Sequence, residues 1–138
     1  MPDYKIHLIG GEDDEVATIR AAPVNGLCHI SFHYRDRVIE ADAADYFEAF
    51  CHIRLQLEHE RLIPFCYGAS MNVFPSGMCR SMGAGMQAYR LTPGEKPTQE
   101  DLVNIFDEAV DEIPAYVAMQ KKCFEDWLKS VGAEYEKQ

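Results

Sequence analysis

The sequence predicts an α+β fold, an antiparallel sheet with helices packed mainly on one face. Apolar and polar residues alternate through the first forty positions, the period of a half-buried strand. After Ala41 the apolar spacing changes to three and four, the period of a helix that buries one side. Strands come first, then a helix, then strands, then helical sequence. That segregation suits an antiparallel sheet.

The elements follow in order. Tyr4, Ile6 and Leu8 alternate with Lys5 and His7, and Gly10-Gly11 with the acidic run Glu12 to Glu15 make a turn. Val16 to Ala21 is a second strand, and Asn25-Gly26 is a strong hairpin signal. Cys28, Ile30, Phe32 and Tyr34 share one face of a third strand, with His29, Ser31 and His33 on the other. Asp36 marks a turn, and Val38-Ile39 enter a fourth strand. Asp42 is the expected N-cap of a helix whose stripe is Tyr46, Phe50, Ile53 and Leu57. Pro64 stops it. Phe65-Cys66-Tyr67 and Gln87 to Leu91 read as further strands of the same sheet. Thr98 caps a second helix, with Asp101 at N3 and Leu102, Ile105, Phe106 and Ala109 as its apolar face. Pro114 suits the first turn of the last helix, with Val117, Phe124, Trp127, Leu128 and Val131 on its core side. Gly132 ends it.

With 138 residues the chain is read as one domain, residues 132–138 forming a frayed tail. Its net charge of −10 argues against nucleic acid, which needs clustered Lys and Arg, and against an anionic membrane surface. A basic protein partner would be attracted; the simpler reading is that the acidity only keeps the chain soluble. Five cysteines without a CxxC pair, and no leader-like start, point to free thiols in the cytoplasm.

Candidate chemistry is thin. His7, His29 and His33 could converge on a metal, but a strand face bearing partly buried histidines explains them more simply. His52 and His59 lie seven apart, too far along a helix for one ion. Cys79 beside Arg80 could be a thiolate, yet a nucleophile also needs a base within reach. Gly83 and Gly85 spell GxG without the rest of a phosphate-binding loop. No catalytic residue, metal or cofactor is assigned. The stretch from Ile63 to Gly94 holds no acidic residue, although acids are common on both sides. It carries Met71, Met78 and Met82, residues suited to adaptable binding surfaces; the equal alternative is a loop folded back on the core, with its glycines at positive-φ positions.

Within that stretch, YGASMNVFPSGMCRSMGAGMQAYRLTPG followed by EDLVNIFDEA resembles small bacterial immunity proteins encoded beside Rhs-type and other polymorphic toxins. The resemblance covers roughly residues 62–127. It implies a non-enzymatic cytoplasmic protein that neutralises one cognate toxin domain by binding it, and it supplies no catalytic residue. The expected contact residues are Glu12, Asp13, Asp14 and Glu15 in the first turn, and Glu100, Asp101, Glu108 and Asp111 on the second helix. Met71, Met78 and Met82 complete the set. The alternative is a small enzyme using the Gly-rich loop with Cys79 or a histidine.

Overall fold

The computed structural model describes residues 3–132, so the expected fraying beyond Gly132 lies outside the described residues. Strands β1 (Tyr4–Ile9), β2 (Val16–Val24), β3 (Leu27–Tyr34) and β4 (Arg37–Ala43) form an antiparallel meander, and β5 (Ile63–Pro64) pairs with β1. The order across this curled sheet is β4-β3-β2-β1-β5. The β2–β3 hairpin closes through Asn25 and Gly26, both at positive φ, as the Asn-Gly pair predicts. Arg35 and Asp36 close β3 to β4 at positive φ as well. Asp tolerates that region, whereas Arg enters it at a steric cost of roughly 1–2 kcal/mol. The Arg35 guanidinium then reaches Glu15 and Glu60.

Alternation decides which face is buried. Ile6, Leu8, Ala17, Ile19, Ala21, Ile30, Phe32 and Tyr34 all point inward. Helix α1 (Tyr46–Glu58) packs on β3 and β4. Its expected stripe of Tyr46, Phe50, Ile53 and Leu57 is buried, and so are Phe47 and Arg54. One side of α1 meets the sheet, and the other meets a second layer, because Phe47 packs against Phe74 and Phe50 against Phe106.

That second layer holds a three-stranded sheet of β6 (Val73–Phe74), β7 (Gln87–Arg90) and β8 (Leu102–Asn104), ordered β6-β7-β8. It also carries the short helix α2 (Gly77–Met82) and helix α3 (Val117–Val131), which packs on β6 and α1. Gly132 follows α3 at positive φ, as expected of a helix terminator.

Several local expectations are corrected. Asp42 does not cap α1: pairing of Cys28 with Ala43 keeps the chain extended to that point, and Asp45 accepts the Glu48 N–H instead at 2.8 Å. Phe65-Cys66-Tyr67 is not a strand. The pairing with β1 falls on Ile63–Pro64, and a 3-10 turn follows at Tyr67–Ala69. Tyr89 belongs to the second sheet, not the first. Pro114 precedes α3 and bridges to Ser70, while the helix starts at Val117.

The largest correction is the expected helix after Thr98. Thr98 and Asp101 do form a reciprocal capping box, but it closes only the 3-10 turn Gln99–Asp101. Leu102 is already extended, because Leu102 to Asn104 supply the partner that β7 needs. Asn104 Oδ1 then accepts the Phe106 N–H at 2.8 Å and turns Ile105 and Phe106 into the core.

Candidate functional site

The stretch without acidic residues is a seated structure rather than a free loop. Ser76 caps α2 by accepting the Cys79 N–H at 3.0 Å. Arg80, one position on, donates to Asp45 at 3.2 Å and lies against the Phe47 and Phe74 rings. The chain then reverses through Ala84 and Gly85 at positive φ, and the Ala84 carbonyl accepts the Tyr46 N–H at 2.7 Å. A Cβ on Gly85 would stand 2.7 Å from Asp45 Oδ1 and 3.0 Å from the Phe47 nitrogen. Glycine is thus required by both φ and space. A Cβ on Gly68 would stand 3.0 Å from Ile105 and 3.1 Å from Phe50. The distinctive sequence therefore builds a clamp on the N-terminus of α1.

What the clamp leaves outside is apolar. Met78 and Met82, one turn apart on α2, are 63% and 82% exposed. Arg80 holds the helix beneath them, so their position is fixed although their side chains are free to adapt. Met71 lies elsewhere. Its N–H donates to the Ile113 carbonyl at 2.7 Å, and its side chain lines a cleft of about 230 Å³ beside α3. Exposed Ile113, Val110 and Met119 add apolar surface on the segment leading into α3 and on its first turn. Exposed residues of this size mark contact surfaces when they cluster.

The expected acidic contacts divide. Glu12, Asp13, Asp14, Glu100 and Glu108 are exposed. Glu15 is only 11% exposed, and its carboxylate accepts both Arg35 Nε and, at 2.9 Å, Arg35 Nη2. That pairing holds its pKa below the usual carboxylate range. Asp101 closes the capping box. Asp111 accepts from Tyr67 Oη and Arg90 Nη1, each at 2.9 Å, and the Tyr67 hydroxyl holds its pKa low. These three carboxylates already have partners in their own chain. Residues 100–112 are not a helix, so the acids there are not aligned along a helical face.

The histidines and cysteines are placed as follows. His29 sits on the outer sheet face with Nδ1 2.5 Å from Asp42 and Nε2 3.1 Å from Glu40. The Asp42 hydrogen bond, with Glu40 adding to it, raises its pKa. His33 is 3.1 Å from Ser31 Oγ. Among the described residues no group of three or more His, Cys, Asp or Glu is arranged to hold a metal. Cys51 and Cys66 are buried core thiols, and desolvation pushes Cys66 up to about 12. Cys79 is half-buried, and its carbonyl accepts the Gly83 and Gly85 N–H groups at 3.1 and 2.9 Å.

Sequence reasoning missed a buried polar cluster. Arg54, inside α1, donates to the Gly68 carbonyl at 2.9 Å, Gln120 Oε1 at 2.7 Å and the Ala115 carbonyl at 3.0 Å. Gln120 Nε2 reaches the carbonyls of Gly68, Ser70 and Val73 at 2.9–3.0 Å. The pair satisfies the backbone of the irregular segment before α2. An arginine on the apolar side of a helical stripe was the available signal.

Fold and surface together define an α+β protein whose most distinctive segment presents methionines on a braced helix. No protein-family model matches the sequence, and no curated protein matches it. Among the described residues, no helix is long and apolar enough to cross a membrane.

Proposed function

We propose that this chain is a cytoplasmic immunity protein that neutralises a cognate toxin domain by direct binding, without chemistry of its own. The observation that carries the reading is the pair Met78 and Met82, exposed on a helix that Arg80 braces against Asp45 and Glu48. An exposed apolar pair costs solubility in an isolated protein, and burial against a partner recovers it. Methionine is enriched in interfaces, and its unbranched chain fits itself to what it meets. The resemblance of the same segment to immunity proteins names the class of partner. The exposed acids Glu12, Asp13, Asp14, Glu100 and Glu108 steer a basic toxin domain towards it.

The test is binding of the purified chain to the product of the neighbouring gene, with protection of cells that express that product. Met78→Lys with Met82→Lys should weaken binding at least about tenfold, or about 1.4 kcal/mol. The same pair should change folding stability by no more than about 0.5 kcal/mol, because both residues are exposed. Cys79→Ala should leave protection intact. Absence of binding at micromolar concentration would reject the reading, and loss of protection in a folded Cys79→Ala variant would favour an enzyme.

A further inference from the structure

We propose that Met78 and Met82 form an oxidation-sensitive contact: a hydroperoxide converts both thioethers to sulfoxides, and the sulfoxides block docking of the protein partner. This rests on the binding reading above and adds a way to control it. Met82 is the most exposed large hydrophobic residue among the described residues, and Met78 is also mostly exposed. They stand four apart on α2 and so lie on one side of it. An oxidant in solution reaches both sulfurs without any opening of the fold.

The other described methionines are less open. Met86 is half-buried against the core, its N–H on the Gly83 carbonyl at 3.2 Å and its carbonyl under the Ile105 N–H at 2.9 Å. Met71 is half-buried beside α3. Met119 is 50% exposed, but it stands on the first turn of α3 and not on α2. Exposure therefore ranks Met82 and Met78 ahead of Met119, and Met119 ahead of Met71 and Met86. The seat of α2 does not depend on either exposed thioether. It is held by the Ser76 cap, by Arg80 on Asp45, and by the Gly83 and Gly85 N–H groups on the Cys79 carbonyl.

A thioether lone pair takes one oxygen of hydrogen peroxide. The S–O bond forms, the O–O bond breaks, and the departing hydroxide becomes water by taking the proton left on the transferred oxygen. Sulfur loses two electrons, and the peroxide gains them. The product side chain is polar and chiral where it was apolar and adaptable. In the free chain the new acceptors face water. In a docked interface they lose that water without gaining a donor, and this weakens binding. The change thus falls on docking and not on folding. A methionine sulfoxide reductase restores the thioether with two electrons from a dithiol and releases the oxygen as water.

The full chain is treated with hydrogen peroxide and then with dithiothreitol, which reverses sulfenic acids and disulfides at the cysteines but leaves methionine sulfoxides. Peptide mass spectrometry should show Met78 and Met82 gaining oxygen at least about threefold faster than Met71 and Met86. The oxidised chain should keep its urea unfolding midpoint and bind the neighbouring gene product at least about tenfold more weakly than the reduced chain. The two methionine sulfoxide reductases, one for each epimer, should restore binding. Met119→Leu should respond to peroxide as wild type does. Met78→Leu with Met82→Leu, compared with itself before and after peroxide, should not change in affinity. Met71 or Met86 reacting as fast as the pair overturns the site, and a fallen unfolding midpoint assigns the loss to the fold and overturns the switch. Equal binding by oxidised and reduced chains, protection by Met119→Leu, or loss of affinity in the double leucine variant overturns the switch and leaves the binding reading standing. A reduced chain that does not bind rejects the toxin reading and the switch with it, and the order of oxygen uptake then decides the modification site by itself.

Discussion

Arg54 shows what one residue does in this fold. It is buried, and desolvation pushes its pKa down, yet its side-chain hydrogen bonds go to carbonyls, to Gln120 and weakly to the Cys51 sulfur. Removing either partner leaves buried acceptors or donors unmatched, which costs more than an ordinary hydrogen bond returns. Arg54→Met and Gln120→Leu should each lose about 3 kcal/mol in urea unfolding. The double variant should lose less than the sum by about 1–3 kcal/mol, because both act on one network. Strict additivity would show that the two side chains are not coupled.

His29 makes a second residue-scale test. Its pKa is raised by Asp42 and Glu40 on β4, while Ala22 stands opposite it on β2. A raised folded pKa stabilises the fold fully below the unfolded value of about 6.5, and that contribution is lost as pH rises through the folded pKa. His29→Gln should therefore narrow the stability difference between mildly acidic and alkaline pH relative to wild type. A wild type and variant with parallel stability–pH curves across that window would contradict the pairing. Glu15 and Glu60, whose pKa values are lowered by hydrogen bonds from Arg35 and from Tyr34 and Arg37 respectively, act with the opposite sign and lose their contribution as pH falls.

At the scale of elements, the segment after Thr98 is the informative one. Its sequence satisfies a helix locally: a capping box, then apolar residues at helical spacing. The chain nevertheless forms β8, because β7 would otherwise leave an unpaired side and Asn104 provides the turn into the core. The two arrangements predict opposite signs for one substitution. In a helix, Asn104→Ala would be stabilising by about 0.5 kcal/mol. Here it removes the cap on the Phe106 N–H and should destabilise by about 1 kcal/mol in denaturant unfolding.

The whole molecule is acidic, and its acids divide between those with partners inside the fold and those left exposed. Glu15, Asp101 and Asp111 have roles within the fold, so reversing them would test stability as much as binding. Reversal to Lys of the exposed Glu12, Asp13, Asp14 and Glu108 isolates steering. Association with the proposed toxin partner should slow by about tenfold or more, while dissociation changes little. Added salt should slow the wild type in the same direction, since exposed charges are screened over about 8 Å at physiological ionic strength. Association indifferent to both would leave the acidity without a part in recognition.

The N-terminal half was legible because its determinants are local. Alternation from Tyr4 to Tyr34 sets the buried face, Asn25-Gly26 sets a hairpin, and the stripe from Tyr46 to Leu57 sets α1. Each depends on neighbours within a few residues, and the sheet confirms them by pairing consecutive strands. The three methionines were singled out from composition alone, and two of them prove to be exposed on one helix. Tertiary structure decided the rest through contacts between residues far apart. Gln87 to Tyr89 needed Leu102 to Asn104 as partners, so a helical pattern became a strand. Arg54 needed Gln120, 66 positions away, to be tolerable inside the core. The cleft exists only where Phe74 and Phe124 meet, since neither ring's local sequence specifies the other. Local patterns fix a segment's preference, but burial and backbone pairing across the chain decide whether that preference is used.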